Sequence, residues 1–204
     1  MNLTTAEVFS IVLAVIGGVA LAAACGLRIF LPMLILSIAS KASVVTLGDQ
    51  FGWISSTPAL VSFSVASVLE VVAFYWPWLD HVLDVIALPC SITAGTLAVA
   101  SQVTHADPWV SWIVGIVAGG GVAGLVQTGT ILLRGLSLAT TGGFANPVVA
   151  TIENGGALLV AALAVLVPIL ALLLLGVVLF VLFYALRKRR QAKRARMIAM
   201  PAAA

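Results

Sequence analysis

Residues 58–77 form an apolar segment of twenty residues, with a proline at each end, that contains a single acidic residue, Glu70. As an α-helix this segment would extend about 30 Å, which is the thickness of the hydrocarbon core of a bilayer. An ionised carboxylate at such a depth is unfavourable unless it faces other helices, has a partner or is protonated. The segment therefore predicts a membrane helix whose acidic side chain points into the protein.

The composition extends this prediction to the whole chain. Hydrophobic residues make up 62% of the 204 residues and charged residues only 8%, whereas soluble domains contain about 25% charged residues. Six or seven membrane spans would use most of the chain and leave short connections. We therefore predict an all-α integral membrane protein with a single transmembrane domain over residues 1–186.

A basic run follows the last apolar segment. Seven of the ten Lys and Arg residues lie within residues 187–196. Such a run could bind nucleic acid, but its position directly after an apolar segment favours a cytoplasmic end held near anionic lipid headgroups. We predict a basic cytoplasmic tail at residues 187–204, with membrane lipids and no nucleic acid as partners.

An internal similarity divides the apolar part of the chain. The sequence Gly-Gly-Val-Ala occurs at residues 17–20 and again at residues 120–123. An arginine follows each occurrence, Arg28 in the first case and Arg134 in the second. This spacing indicates an internal repeat.

The two repeats would cover about residues 8–103 and 109–186. If each contains one span, one re-entrant segment and two further spans, its three crossings invert the second repeat relative to the first. This predicts six transmembrane helices plus two re-entrant segments, at about residues 25–45 and 130–146, and both termini in the cytoplasm. Seven crossings with the N-terminus outside are the alternative topology.

Arg28 and Arg134 are the candidate anion-binding residues. Both lie in or near apolar segments, and an arginine stays charged under almost any burial. Two guanidinium groups beside Gly-rich backbone would bind a phosphate or a carboxylate. The alternative is structural: Arg28 pairs with Glu70 and Arg134 pairs with Glu153, or the side chains extend to the membrane interface.

Glu70, Glu153 and Asn146 complete the predicted substrate site. Glu70 would carry a proton or balance charge, since intramembrane acids often mark ion pathways; its alternative is a protonated or paired structural residue. Glu153 lies six residues after Pro147 and would be closer to an interface. Asn146 ends a Gly-rich turn, and its alternative is an ordinary helix start with Pro147 at the first turn.

Asp80 and Asp84 lie four residues apart, on one face of a predicted helix. Together with Glu70 they could bind a divalent cation through oxygen ligands, although a solvated interfacial helix is the simpler explanation of the pair. The sequence contains no Gly-x-Ser-x-Gly, no His-Glu-x-x-His and no P-loop, so a hydrolase or nucleotide enzyme is not indicated. We predict no cofactor.

Three segments resemble a known family. They are Ala-Ala-Ala-Cys-Gly-Leu-Arg-Ile-Phe-Leu-Pro at residues 22–32, the block at residues 68–84, and Ala-Thr-Thr-Gly-Gly-Phe-Ala-Asn-Pro at residues 139–147. They are similar to a bacterial integral membrane family catalogued as domain of unknown function 4126. The resemblance covers nearly the whole chain up to the basic tail. It implies a multi-pass protein of the bacterial inner membrane, and it implies no particular activity.

The functional hypothesis is a transporter or channel-like protein that moves a small or lipid-linked anionic solute. The first alternative is a structural or assembly membrane protein whose buried charges hold helices together. The second is a membrane-embedded, metal-dependent enzyme. A homo-oligomer is compatible with each of these three hypotheses.

Overall fold

The structure is a computed structural model. It describes residues 5–73, 77–104, 107–142 and 144–168, with isolated positions after residue 168. Every regular element in these ranges is helical, and no strand occurs among them. The predicted all-α fold is therefore confirmed for the described part of the chain.

The first half of the chain forms four α-helices and one 3₁₀-helix. They are α1 (Thr5–Cys25), α2 (Phe30–Lys41), a 3₁₀-helix (Asp49–Ser55), α3 (Thr57–Ala73) and α4 (Pro77–Ala100). Helix α1 ends at Cys25, and a four-residue break separates it from the short helix α2. The sequence predicts a re-entrant segment at about residues 25–45. A break and a short helix lie there, and the re-entrant placement stays a prediction.

The second half contains one long helix and one shorter helix. Helix α5 (Pro108–Val114) continues through a π-helical segment (Gly115–Gly120) into α6 (Gly121–Thr141). Together they form a helix of 34 residues. Gly142, at φ +63°, ends α6 in the left-handed conformation that favours glycine, and α7 (Asn146–Leu166) follows.

The second re-entrant segment, predicted at about residues 130–146, does not begin with a break in the helix, and its re-entrant placement stays a prediction. Residues 130–141 are the last three turns of α6, and only a short turn separates them from α7. The threonines do not break the helix, because Thr140 Oγ1 and Thr141 Oγ1 donate to carbonyls one turn earlier, those of Leu136 and Ser137. This back-bonding is how Thr is accommodated within a helix.

Two described helices are long and apolar enough to cross a membrane, the 34-residue helix and α7. The 3₁₀-helix and α3 pass the same test together, bent by 59°, and would bring the number to three. These helices indicate a membrane protein. The number of six crossings and the inverted repeat stay predictions, and most of the last predicted span, residues 168–186, lies outside the described residues.

Helices α2 and α3 run antiparallel. At one end Lys41 Nζ donates to Thr57 Oγ1 over 2.7 Å, and at the other end the carboxylate of Glu70 contacts the backbone of Phe30. Because the twelve residues of α2 rise about 18 Å, the two ends of this pair lie that far apart. The break between α1 and α2 is thus distant from the Lys41 end.

Small residues let α4 pack closely against the π-helical segment. A Cβ added to Gly115 would lie 2.7 Å from the carbonyl oxygen of Thr96, and one added to Gly120 would lie 2.8 Å from Thr96 Oγ1. Glycine is required at Gly115, where the backbone of α4 approaches to this distance. The π-helical segment runs antiparallel to α4, since Gly115 lies against Ala100 and Gly120 lies against Ile92.

The burial pattern of α3 is the reverse of that in a soluble protein. Its buried residues include Ser67 and Glu70. Its outward residues are aliphatic and more than half exposed: Val61, Val65, Val68, Leu69 and Val72. Water would penalise such a face, whereas hydrocarbon would not. The pattern agrees with the two candidate spans in indicating a membrane environment.

Candidate functional site

The break between α1 and α2 creates the site. Gly26 begins it and lies against α6, where an added Cβ would come within 2.6 Å of the carbonyl oxygen of Ala123. The amide of Arg28 donates to the carbonyl of Ala24, which closes α1. Ile29 and Phe30 then begin a new helix, so their amide groups have no carbonyl one turn earlier to bind.

Glu70 binds these two amide groups. Its Oε1 accepts from the amide of Ile29 at 2.7 Å, and its Oε2 accepts from the amide of Phe30 at 3.0 Å. A carboxylate at this position satisfies two donors and also interacts favourably with the positive end of the α2 dipole. Glu70 is 8% exposed, and it therefore acts as a buried cap supplied by another helix.

Arg28 extends from the same break towards α7. Its Nε donates to Asn154 Oδ1 and its Nη2 donates to the carbonyl of Ala150 at 3.2 Å. The same Nη2 lies 3.2 Å from Oε2 of Glu153. With 1% exposure, Arg28 is the largest fully buried side chain in the described part of the chain.

Arg134 reaches Glu153 from α6. Its Nη2 donates to Oε2 of Glu153, the oxygen that Arg28 also contacts. Both side chains are buried. The pairing of Arg134 with Glu153 proposed as a structural alternative is therefore present. Arg28 pairs with Glu153 as well, and Glu70 binds backbone amides instead of the Arg28 side chain.

These side chains form a charge cluster, which we define as Arg28, Glu70, Arg134, Glu153 and Asn154. With both acids ionised, its formal charges balance. Both arginines also attract the carboxylate of Glu70 electrostatically. Because charges buried this deeply are unfavourable unless paired and hydrogen-bonded, each member depends on the others for its stability.

Helices α6 and α7 present polar groups to the interior at helical spacing. The buried residues of α6 are Ala123, Gln127, Thr130, Arg134 and Ser137, which recur every three or four positions. Its outward residues Leu125 and Leu132 are 75% and 62% exposed. A helix with a polar interior face and an apolar outer face is typical of one that lines a polar path through a membrane.

Ser67 lies one helical turn before Glu70, on the same buried face of α3. Its Oγ has no hydrogen-bond partner within the described ranges. A buried hydroxyl without a partner is unfavourable. Ser67 therefore marks a second polar position beside the cluster, which the sequence analysis did not identify.

The structure brings together three of the five predicted substrate-binding residues: Arg28, Arg134 and Glu153 meet directly. Glu70 joins them through the backbone of the break. Asn146 begins α7, two turns before Glu153 and on the same face.

Asp80 and Asp84 lie on α4, but their side chains are outside the described residues, so the predicted metal site stays a prediction. In the described ranges no three His, Cys, Asp or Glu residues come together as metal ligands.

Asn154 is the cluster member that the sequence analysis did not predict. The sequence did contain an indication of its role, because a polar side-chain amide directly after Glu153 in an apolar helix requires a hydrogen-bond partner. Its binding to Arg28 was not predictable, since 126 positions separate the two residues. The carbonyl of Ala150 carries no sequence signal at all.

The arrangement resembles a binding site for a planar or tetrahedral anion. Two guanidinium groups converge on one oxygen position, which is how arginines bind carboxylates and phosphates. In this structure the position holds the carboxylate of Glu153. The anion position of the cluster is therefore occupied by a carboxylate of the chain itself.

Comparison with known proteins identifies one family. The model of the family described as Domain of unknown function (DUF4126) matches residues 15–188. No curated protein and no solved structure matches the chain. The match confirms the resemblance drawn from the three sequence segments.

Proposed function

The chain belongs to the family described as Domain of unknown function (DUF4126), and we propose that it moves a small or lipid-linked anionic solute across a membrane. The observation that carries this proposal is the convergence of Arg28 and Arg134 on one oxygen of Glu153. Buried arginines in a membrane protein are rare, and they mark solute or ion pathways when they face other helices.

The proposed location is a bacterial inner membrane, crossed about six times, with the basic C-terminal tail in the cytoplasm. Support comes from the two apolar helices of sufficient length and from the aliphatic outer faces of α3 and α6. The inverted relation of the two halves belongs to the same proposal. Its support is that the two Gly-Gly-Val-Ala segments each lead to an arginine of the charge cluster.

In this proposal Glu153 is the internal counter-anion of the empty transporter. Protonation of Glu153 would weaken its hold on both arginines, and an entering anion would then take its place. Anion and proton would therefore move together. Glu70 would balance charge while it holds the start of α2, and Asn146 would contribute a polar side chain at the start of α7.

A second candidate function is favoured by the same contacts. In a structural or assembly protein the cluster would only join helices, and the pairing of Arg28 and Arg134 with Glu153 is what that role requires. The two candidates differ in their need for a solute. Only the transporter predicts movement of an anion and stabilisation by an anion.

Reconstitution in proteoliposomes separates the two. Two probes are used: radiolabelled inorganic phosphate and a phosphatidylglycerol with a labelled headgroup. The first assay measures the exit of phosphate from the liposomes, and the second measures the transfer of the labelled lipid between leaflets. Each is carried out with and without a pH gradient. The transporter predicts that at least one probe moves faster than in empty liposomes, and that Arg28→Gln and Glu153→Gln abolish the gradient dependence.

Asp49→Asn is the matched control, because Asp49 is exposed in the 3₁₀-helix and outside the charge cluster. It should leave the rate unchanged. Two outcomes would contradict the transport proposal: folded wild-type protein moves neither probe, or the cluster variants move a probe as fast as the wild type does. Either outcome would favour the structural role of the charge cluster.

A further inference from the structure

A groove opens between α2, α3 and α4, separate from the charge cluster. Its volume is about 310 Å³, at the lower end of the range of small-molecule sites. Ile29, Phe30 and Met33 of α2 form one wall, and Phe63 of α3 lies on another side. The groove therefore begins at the break that carries Arg28 and extends along α2.

The lining of the groove is apolar. Cys90 and Thr93 of α4 complete the wall, and the hydroxyl of Thr93 donates to the carbonyl of Pro89 over 2.9 Å. This hydrogen bond leaves a methyl group for any occupant to contact. None of the described residues that line the groove is charged, so an occupant must be apolar where it contacts them.

The other end of the groove has the character of a membrane interface. Trp53 lines it there and is 50% exposed, as expected for a tryptophan at headgroup level. Lys41, exposed at the end of α2, lies three turns from Phe30 and on the same face, since eleven residues complete about three turns. Because Lys41 Nζ also donates to Thr57 Oγ1, four residues after Trp53, the cation and the indole lie towards the same end of the α2–α3 pair.

We propose that this groove binds one hydrocarbon chain of an anionic phospholipid, whose phosphate lies beside Lys41 and Trp53. The walls fit a hydrocarbon chain, and Lys41 attracts the negative headgroup. The chain would end against Ile29 and Phe30, whose amide groups Glu70 holds. A bound lipid would therefore support the start of α2 and with it the position of Arg28.

This inference rests on the membrane placement in the proposed function and not on transport. A photoactivatable phospholipid tests it, with the reactive diazirine at mid-chain and either a phosphatidylglycerol or a phosphatidylcholine headgroup. The full-length protein is placed in phosphatidylcholine nanodiscs that contain a small fraction of one probe. After illumination, mass spectrometry maps the adducts.

We expect adducts on the groove residues to be about fivefold more frequent with the phosphatidylglycerol probe than with the phosphatidylcholine probe. This is the factor by which one lysine strengthens binding to anionic lipid. Lys41→Gln should remove this preference. Thr93→Phe and Cys90→Phe place a ring in the groove and should remove the adducts themselves. Leu125→Phe is the control, because Leu125 is 75% exposed on the outer face of α6.

Adducts on Val117 and Leu125 give the reference for lipid that is not specifically bound. Equal adduct frequencies in the groove and at these two residues would overturn the inference, as would adducts that persist in both ring variants. Absence of adducts at Val117 and Leu125 as well would instead contradict the membrane placement itself. A thermal unfolding curve for each variant confirms that the ring variants are folded.

Discussion

Arg28 and Arg134 contact the same atom, Oε2 of Glu153, although one lies in the break after α1 and the other in the middle of α6. One acid on α7 therefore joins three separate parts of the chain. Because a buried charge without a partner is more unfavourable than a buried neutral group, Glu153 should be the residue on which the charge cluster most depends.

Glu153→Gln should destabilise the protein by about 3–5 kcal/mol, the range for breaking a buried ion pair. Glutamine keeps the size of the side chain and removes the charge that both arginines need. Unfolding of the detergent-solubilised protein, followed by circular dichroism against temperature or denaturant, measures the change.

Asp49→Asn is the matched control for this prediction, since an exposed acid should change the stability by less than about 0.5 kcal/mol. The double variant Arg134→Gln with Glu153→Gln should recover part of the loss, because it also removes one of the two guanidinium charges that Glu153 contacts in the wild type. Additive losses in the double variant would show that Arg134 and Glu153 do not interact.

Glu70→Gln should affect the start of α2 more than the rest of the protein. The neutral amide has one oxygen for two backbone donors and loses the charge–dipole interaction, for which about 1–3 kcal/mol is expected. Hydrogen exchange should therefore become faster at the amides of Ile29 and Phe30, while α7 changes little. Exchange that rises equally throughout the protein would contradict the role of Glu70 as a local cap.

The sequence predicted that Glu70 is buried, because one acid in a long apolar segment must face the protein interior. It did not predict the partner. The two amides that Glu70 binds become available only where the chain breaks between Cys25 and Phe30, 40 residues away along the sequence. Free backbone amides cannot be identified from the sequence. The opposite charges of Arg28 and Glu70 can, which is why that pair was considered instead.

The extent of α6 could not be predicted for a related reason. The Gly-rich turn that ends at Asn146 was predicted to include Thr140 and Thr141, since glycine and threonine disfavour helices in water. In α6 the threonine hydroxyls bind carbonyls of the preceding turn, and Gly135 has open space around it. The helix therefore continues to Thr141, where Gly142 ends it.

Gly115→Ala should be strongly unfavourable, because the new methyl group would lie 2.7 Å from both Ala100 Cβ and the carbonyl oxygen of Thr96. Separation of α4 from the π-helical segment should lower the stability by about 1–3 kcal/mol. Gly129→Ala in α6 is the control: it has nothing within 4 Å and should stabilise by about 0.5–1 kcal/mol through helix propensity. Thermal unfolding of both variants checks this, and equal melting temperatures would contradict the close packing.

Val68→Lys and Leu125→Lys test whether the aliphatic outer faces of α3 and α6 contact lipid. Both residues are more than 60% exposed. In water such substitutions change stability by about 0.5 kcal/mol or less, whereas a lysine at the centre of a membrane helix disfavours insertion by about 2.5–3.5 kcal/mol. We expect both variants to be depleted from the membrane fraction, measured by quantitative immunoblot of the separated fractions.

Phe144→Lys, at an exposed position in the turn between α6 and α7, should remain at the wild-type level because a turn lies outside hydrocarbon. If Val68→Lys and Leu125→Lys accumulate in the membrane as Phe144→Lys does, these faces do not contact lipid, and the outer surface of the bundle requires another explanation.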